Sequence, residues 1–217
     1  MRNAAGAAFD KLFQHGGGHA AGEIVPALLE QLESSPTVLE GLKQVLKAQP
    51  KILATVLPNL AQPPLSISGA RTLGALAEVA GTALPPHLPL LIPPLLEAMA
   101  DDDEESQAAA SSAALAVIKA VPENSSHLLL TEIKRGMTDE YPGCRAAAAK
   151  LAGEYAKNAP GYDGDSETEV LIKKLFELFT DTDEAVLLAA WNAMGDVTGT
   201  ISRQELPEYV ECVSKAL

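Results

Sequence analysis

LIPPLLEAM, residues 91–99, decides the fold, because the chain says nearly the same thing four more times. The other copies are IVPALLEQL (24–32), ILATVLPNL (52–60), LLTEIKRGM (129–137) and LIKKLFELF (171–179). Successive copies start 28, 39, 38 and 42 residues apart, within or close to the period of stacked helix pairs. Apolar residues recur at offsets 0, 4 and 8, which places them on one helical stripe. A polar or Pro-rich turn follows each phrase: ESSP, AQPP, ADDD, TDEY and TDTD. Then comes a second, Ala-rich helical phrase, as in RTLGALAEVAG (71–81) and RAAAAKLAGEYA (145–156).

Two-helix modules of this kind predict an all-α, HEAT-type superhelical solenoid in which each repeat packs only on its neighbours. About five full pairs are expected, at roughly 21–48, 51–82, 87–120, 126–158 and 168–200. Half repeats at 3–14 and 204–216 flank them in a single array, so the chain reads as a piece of a longer solenoid. Gly16, Gly17 and Gly18 end the first half repeat, since three glycines cannot continue a helix cheaply. Ser35-Pro36 sets a cap and a proline at the first helical position. Ser166 with Glu169 has the spacing of a capping box. Asn124-Ser125-Ser126 matches a glycosylation acceptor but reads better as a helix N-cap. Pro26, Pro93 and Pro94 fall inside first-helix phrases and should bend them, with stacking rather than propensity holding the helix.

Composition agrees with close-packed helices: 47% of residues are hydrophobic but only 4% aromatic, and alanine lets stacked helices approach. Trp191, in an Ala-Ala-Trp-Asn-Ala context, is expected to fill the core. Cys144 and Cys212 lie in different repeats and fit a reducing compartment and structural roles. No secretory leader or membrane-length apolar run is visible, so a cytoplasmic location is expected.

Net charge is −13, which argues against a general nucleic-acid or acidic-membrane surface. Its distribution is uneven. Residues 1–105 carry 6 Lys/Arg against 12 Asp/Glu and residues 161–217 carry 4 against 12, while residues 106–160 carry 6 against 5. Of these three stretches only the middle is not acidic. Its candidate partner contacts are Lys134, Arg135, Arg145, Lys150 and Lys157. Lys150 and Lys157 are seven apart and share a helix face. Arg145 stands at the start of a second helix, where HEAT arrays often pair an arginine with an aspartate of the preceding turn. Asp139 is available for that, so ladder arginine and partner-contact arginine both stay open.

No active site is expected, and no cofactor or metal. His15 and His19 have metal-like spacing but are separated by three glycines. Asp163, Asp165, Glu167 and Glu169 alternate like a calcium loop, yet its sixth position is Thr168 and its twelfth Lys174, where Gly and Glu are needed. There is no phosphate-cradling loop and no nucleophile elbow.

One long stretch is more specific than any repeat consensus: LEGLKQVLKAQPKILATVLPNLAQPPLSISGARTLGALAEVAGTALPPHL, residues 39–88. With FDKLF (9–13), EIVPALLEQLE (23–33), FTDTDEAVLLAAWNAM (179–194) and LPEYV (206–210), it resembles the general-control translational activator family in its plant or algal forms. These are very large ribosome-associated HEAT proteins that activate the amino-acid-starvation kinase acting on a translation initiation factor. The resemblance implies the kinase-docking region, a non-catalytic scaffold binding the kinase's RWD domain, with ribosome contact through the full-length protein. It also implies a basic residue needed for kinase binding, for which Arg145 is the best placement. The competing readings are a structural HEAT spacer and a generic HEAT scaffold or transport-receptor segment without a kinase site.

Overall fold

Four helix pairs occupy the residues that the computed structural model describes, which are 46, 53–160, 162, 166–201 and 207. They are α1 (Leu53–Leu60) with α2 (Ile67–Ala80), α3 (Leu88–Met99) with α4 (Glu104–Ala120), α5 (Ser126–Gly136) with α6 (Pro142–Asn158), and α7 (Ser166–Leu178) with α8 (Glu184–Gly199). No strand occurs among these residues. The array is an all-α solenoid of HEAT type, as the repeated phrase predicts. But for residues 46 and 207, the expected helices at 3–14, 21–48 and 204–216 lie outside the described residues, as do the His15/His19 pair, Cys212 and the 163–165 carboxylates.

The stripe at offsets 0, 4 and 8 is the core seam of the first-helix layer. Leu91, Leu95 and Met99 of α3 are buried, as are Leu129 and Ile133 of α5 with Met137 just beyond it, and Leu171 and Leu175 of α7. Burying a leucine fully is worth about 1.5–3 kcal/mol, enough to hold α3 as one helix through Pro93 and Pro94. Polar side chains set where second helices begin. Ser66 Oγ accepts from the Gly69 N–H at 3.0 Å, Asp103 from Ser106 at 2.9 Å, and Asp183 from Ala185 at 2.9 Å and Val186 at 3.2 Å, each satisfying donors that the first turn leaves open.

In the Asn124-Ser125-Ser126 segment Ser125 takes the N-cap position of α5, but no side chain makes a cap hydrogen bond there. The chain is already coiled in a 3-10 turn over Glu123–Ser125, and the Asn124 amide oxygen accepts instead from the Ser125 hydroxyl at 3.1 Å.

Second helices form the other layer, and their alanines let backbones come close. A Cβ built on Gly74 of α2 would lie 3.1 Å from Ala113 Cα in α4, and one on Gly153 of α6 would lie 3.3 Å from Ala193 Cα in α8. Between these two close pairs α4 meets α6 more sparingly, and Ala108, Ser111 and Ser112 of α4 stay exposed.

This close approach also corrects the expectation for Trp191, which is 70% exposed. The inward stripe of α8 is Val186, Ala189, Ala190, Ala193 and Val197. An indole does not fit where α6 comes that near. Trp191 follows Ala190 by one residue, about 100° around the helix, and so stands outside the stripe.

Two glycine substitutions should have opposite signs. Gly195 lies within α8 and nothing approaches its Cβ position within 4 Å. Gly195→Ala should therefore raise stability by about 0.5–1 kcal/mol, the ordinary helix-propensity gain. At Gly136, the last residue of α5, the added carbon would lie 2.4 Å from Leu96 Cδ1 and 2.9 Å from Ala148 Cβ. Overpacking of that kind costs about 1–3 kcal/mol, so Gly136→Ala should be destabilising by about 1 kcal/mol net. Urea unfolding of both variants checks the pair, and a stabilised Gly136→Ala would contradict the packing described.

Candidate interaction surface

The central basic residues sit on two helices. Lys134 and Arg135 occupy the last turn of α5, where cations also suit the helix dipole. Arg145, Lys150 and Lys157 lie along α6. They divide into those already engaged within the solenoid and those that face water.

Arg145 is engaged. Its Nε donates to Asp181 Oδ2 at 2.7 Å and an Nη2 proton to Asp181 Oδ1 at 2.9 Å, a two-pronged pair reaching the turn between α7 and α8. Nη1 donates to the carbonyls of Asp139 at 2.9 Å and Glu140 at 3.0 Å, in the turn before its own helix. Asp139 thus contributes its backbone oxygen, and the carboxylate partner is Asp181 of the following repeat. The pair is mostly covered, with side chains 17% and 10% exposed. The hydrogen bond to Asp181 pushes the guanidinium further above its ordinary range, and the same bond holds the Asp181 carboxyl below its own. Asp181 Oδ1 also accepts from the Asp183 N–H at 3.0 Å, bracing the turn that starts α8.

Lys157 is engaged as well. Its ammonium bridges Glu154 Oε1 at 2.8 Å and Asp196 Oδ2 at 3.1 Å, linking α6 to α8. Lys150, exposed at mid-helix on α6, has no ion pair among the described residues. Arg135 is 72% exposed, and its nearest carboxylate, Glu132, stands 3.8 Å away, beyond hydrogen-bonding distance. Lys134 is half-buried beside it, and Lys119 is exposed near the end of α4. Lys150 in the second-helix layer and Arg135 at the end of α5 in the first-helix layer are thus exposed without a close ion pair, while Arg145 and Lys157 tie the framework together.

Other chemistry is sparse. Burial, with Asp139 and Glu97 nearby, pushes the Cys144 thiol up to about 11, so it stays protonated and unreactive near neutrality. No group of three His, Cys, Asp or Glu side chains is placed to hold a metal ion among the described residues. None of the described helices is long and apolar enough to cross a membrane.

Comparison with known proteins gives this surface a context. A family model described as "Stalled ribosome sensor GCN1-like, HEAT repeats" matches residues 52–217. The chain is 36% identical over 186 residues to "Protein ILITYHIA" of Arabidopsis thaliana, covering 85% of this chain and 7% of that protein. It is 32% identical over 218 residues to "eIF-2-alpha kinase activator GCN1" of Dictyostelium discoideum, covering 95% and 8%. It is 31% identical over 204 residues to "Stalled ribosome sensor GCN1" of Homo sapiens, covering 91% and 8%. The chain therefore spans less than a tenth of the length of these relatives. A solved chain from work on TOG-tubulin binding specificity shares the fold with a TM-score of 0.51 at 15% identity, over 92% of this chain and 83% of that one.

Proposed function

Because this chain belongs to the HEAT-repeat family of GCN1-like stalled-ribosome sensors, we propose that it is a non-catalytic scaffold segment that docks an eIF-2-alpha kinase through that kinase's RWD domain. The setting would be the cytoplasm, with ribosome contact made through the full-length protein. The names carried by relatives, kinase activator and stalled-ribosome sensor, support the general role. One observation supports the place: Lys150 and Arg135 stay exposed and without close ion pairing in residues 106–160, where 6 Lys/Arg stand against 5 Asp/Glu. An RWD surface rich in carboxylates would meet complementary potential there, which acts mainly on association rate and specificity.

Arg145 enters this reading as a positioning residue. Its three donor nitrogens are all occupied within the solenoid, so it would hold the α6 surface in place for Lys150. The spacer alternative draws on the same fact, since an arginine spent inside the fold offers nothing to a partner. Charge reversal at exposed residues separates the two readings. Lys150→Glu with Arg135→Glu should weaken capture of the RWD domain about tenfold, with a steeper loss at raised salt. The helical circular dichroism should not change. Unaltered capture by that double variant would favour the spacer.

A further inference from the structure

The second-helix layer is closed at two of its junctions and open at the one between them. Positions counted from the helix N-caps are equivalent from repeat to repeat. Eight residues past the cap stand Gly74 of α2, Ser111 of α4 and Ala149 of α6. Gly74 and Ala149 are buried, whereas Ser111 is exposed although α6 follows it. Polar ties divide in the same way. Arg71 bonds Glu105 at 2.8 Å between α2 and α4, and Lys157 meets Asp196 at 3.1 Å between α6 and α8. Among the described residues no side-chain hydrogen bond or ion pair joins α4 to α6.

The absent tie can be traced to one residue. Two positions before the cap of α4, α6 and α8 stand Asp101, Asp139 and Asp181. Four positions past the cap, α6 has Arg145, which reaches forward to Asp181, and α4 has Gln107. Gln107 Nε2 donates to the Asp101 carbonyl, just as Arg145 Nη1 donates to that of Asp139. A glutamine spent in this way has no charged second arm to send to the next repeat. The Asp139 carboxylate that would receive one accepts only from the Tyr141 N–H, at 2.9 Å, among the described residues.

On the first-helix side the same junction is closed. A Cβ on Gly136 would lie 2.4 Å from Leu96 Cδ1, and one on Gly143 would lie 2.8 Å from Ala100 Cβ. The end of α3 therefore packs directly on the end of α5 and the start of α6. We propose that the α4–α6 seam is the hinge of the described array. Residues 53–120 and 126–199 turn as two units about the Leu96–Gly136 and Ala100–Gly143 contacts, and the seam between the second helices opens or closes as they do. In a nearest-neighbour array one weak junction can move without disturbing the others, and such packed-helix boundaries are where hinge and shear motions collect. The angle sets how the α1–α4 unit stands to Lys150, so a partner reaching across the seam would select one setting of it.

Distances between pairs of nitroxide labels, measured by pulsed electron resonance on the 217-residue chain, test the hinge. The background is Cys212→Ser, since Cys144 is buried. Ser112, Lys150 and Asn192 are exposed at equivalent positions of α4, α6 and α8. Ser112→Cys with Lys150→Cys spans the open seam, and Lys150→Cys with Asn192→Cys spans a closed one. Leu90→Cys with Leu128→Cys, at exposed equivalent positions of α3 and α5, spans the pivot side. The first pair should give a distance distribution about twice as broad as the other two. Gln107→Arg supplies the second arm for Asp139 and should narrow that distribution while leaving the Lys150–Asn192 pair unchanged. Equal widths for the two second-helix pairs overturn the hinge. A Leu90–Leu128 pair as broad as the seam pair overturns the pivot. A seam pair left equally broad by Gln107→Arg overturns the assignment of the slack to Gln107.

Discussion

Arg145→Ala should lower the stability of the chain by about 2–3 kcal/mol, because it strips a covered carboxylate and two carbonyls of their donor at once. For a chain of this size that corresponds to a fall in melting temperature of about 5–10 °C. The lower end of the buried-pair range applies, since both side chains still touch water. The loss is not spread evenly. The Asp181 bonds are the part that reaches the following repeat, so the α7–α8 pair should loosen first and unfolding should broaden or split, as nearest-neighbour arrays do. Arg145→Lys should recover only part of the loss, because an ammonium cannot serve a two-pronged carboxylate and two carbonyls in one geometry. The effect has a defined pH window. The Asp181 carboxyl is held below its ordinary value of about 3.9, so its share of the stability is present above that value and disappears as pH falls through the depressed one. The gap between parent and variant should narrow in acid, where the bonds to the two carbonyls remain. Thermal circular dichroism at pH 7 and pH 3 checks both statements, and a variant that melts with the parent at pH 7 would remove the clamp from the account. A capture assay on Arg145→Ala alone cannot separate docking from folding, which is why exposed Lys150 and Arg135 carry the test of function.

How far the residues announced this arrangement depends on which force fixed each one. The nine-residue phrase was legible because burial repeats with the helix period, and Leu95, Ile133 and Leu175 are core for that reason alone. The stretch that resembled a known family led to the family that the comparisons identify. Arg145 was legible only as a choice between ladder and partner contact. The carboxylate that takes it lies 36 residues away in sequence, and no local pattern separates Asp181 from the nearer Asp139. Trp191 misled because an alanine-rich neighbourhood was read as core on all sides. Alanines mark the single side where two helices touch, and a residue 100° away is free to be large. A helical-wheel projection anchored on Val186, Ala189 and Ala193 would have placed it outside. Lys157 shared a face with Lys150 by periodicity, but nothing in the spacing showed that Asp196 of the next second helix would take it up.

Tyr155→Ala is expected to cost more than any other single change considered, about 4 kcal/mol, and the reason lies in the longest interval between repeats. The phrases at 129 and 171 start 42 residues apart, so the α6–α7 connection is where stacking has the most slack to take up. Tyr155 is fully buried at the end of α6. Its hydroxyl donates to Glu167 Oε2 at 2.8 Å, while Glu167 Oε1 accepts from Ser126 Oγ at 3.0 Å. One carboxylate at the start of α7 thereby joins the start of α5 to the end of α6. The Tyr155 ring meets Tyr162 of the connection edge-on at 5.8 Å, and the Tyr162 hydroxyl bonds the buried Thr168 hydroxyl. Burial and the Glu167 carboxylate keep the phenol of Tyr155 protonated well above its usual range, so it remains a donor at every pH at which the chain would be handled. Removing the whole side chain leaves a large cavity, which alone costs about 3–5 kcal/mol, and orphans one oxygen of Glu167. Tyr155→Phe keeps the ring and loses only the hydroxyl, at about 1–2 kcal/mol. Urea unfolding of the two variants separates the contributions. Equal losses would mean that the polar link, not the packing, holds the connection. A neutral Tyr155→Phe would mean that Glu167 does not depend on this donor.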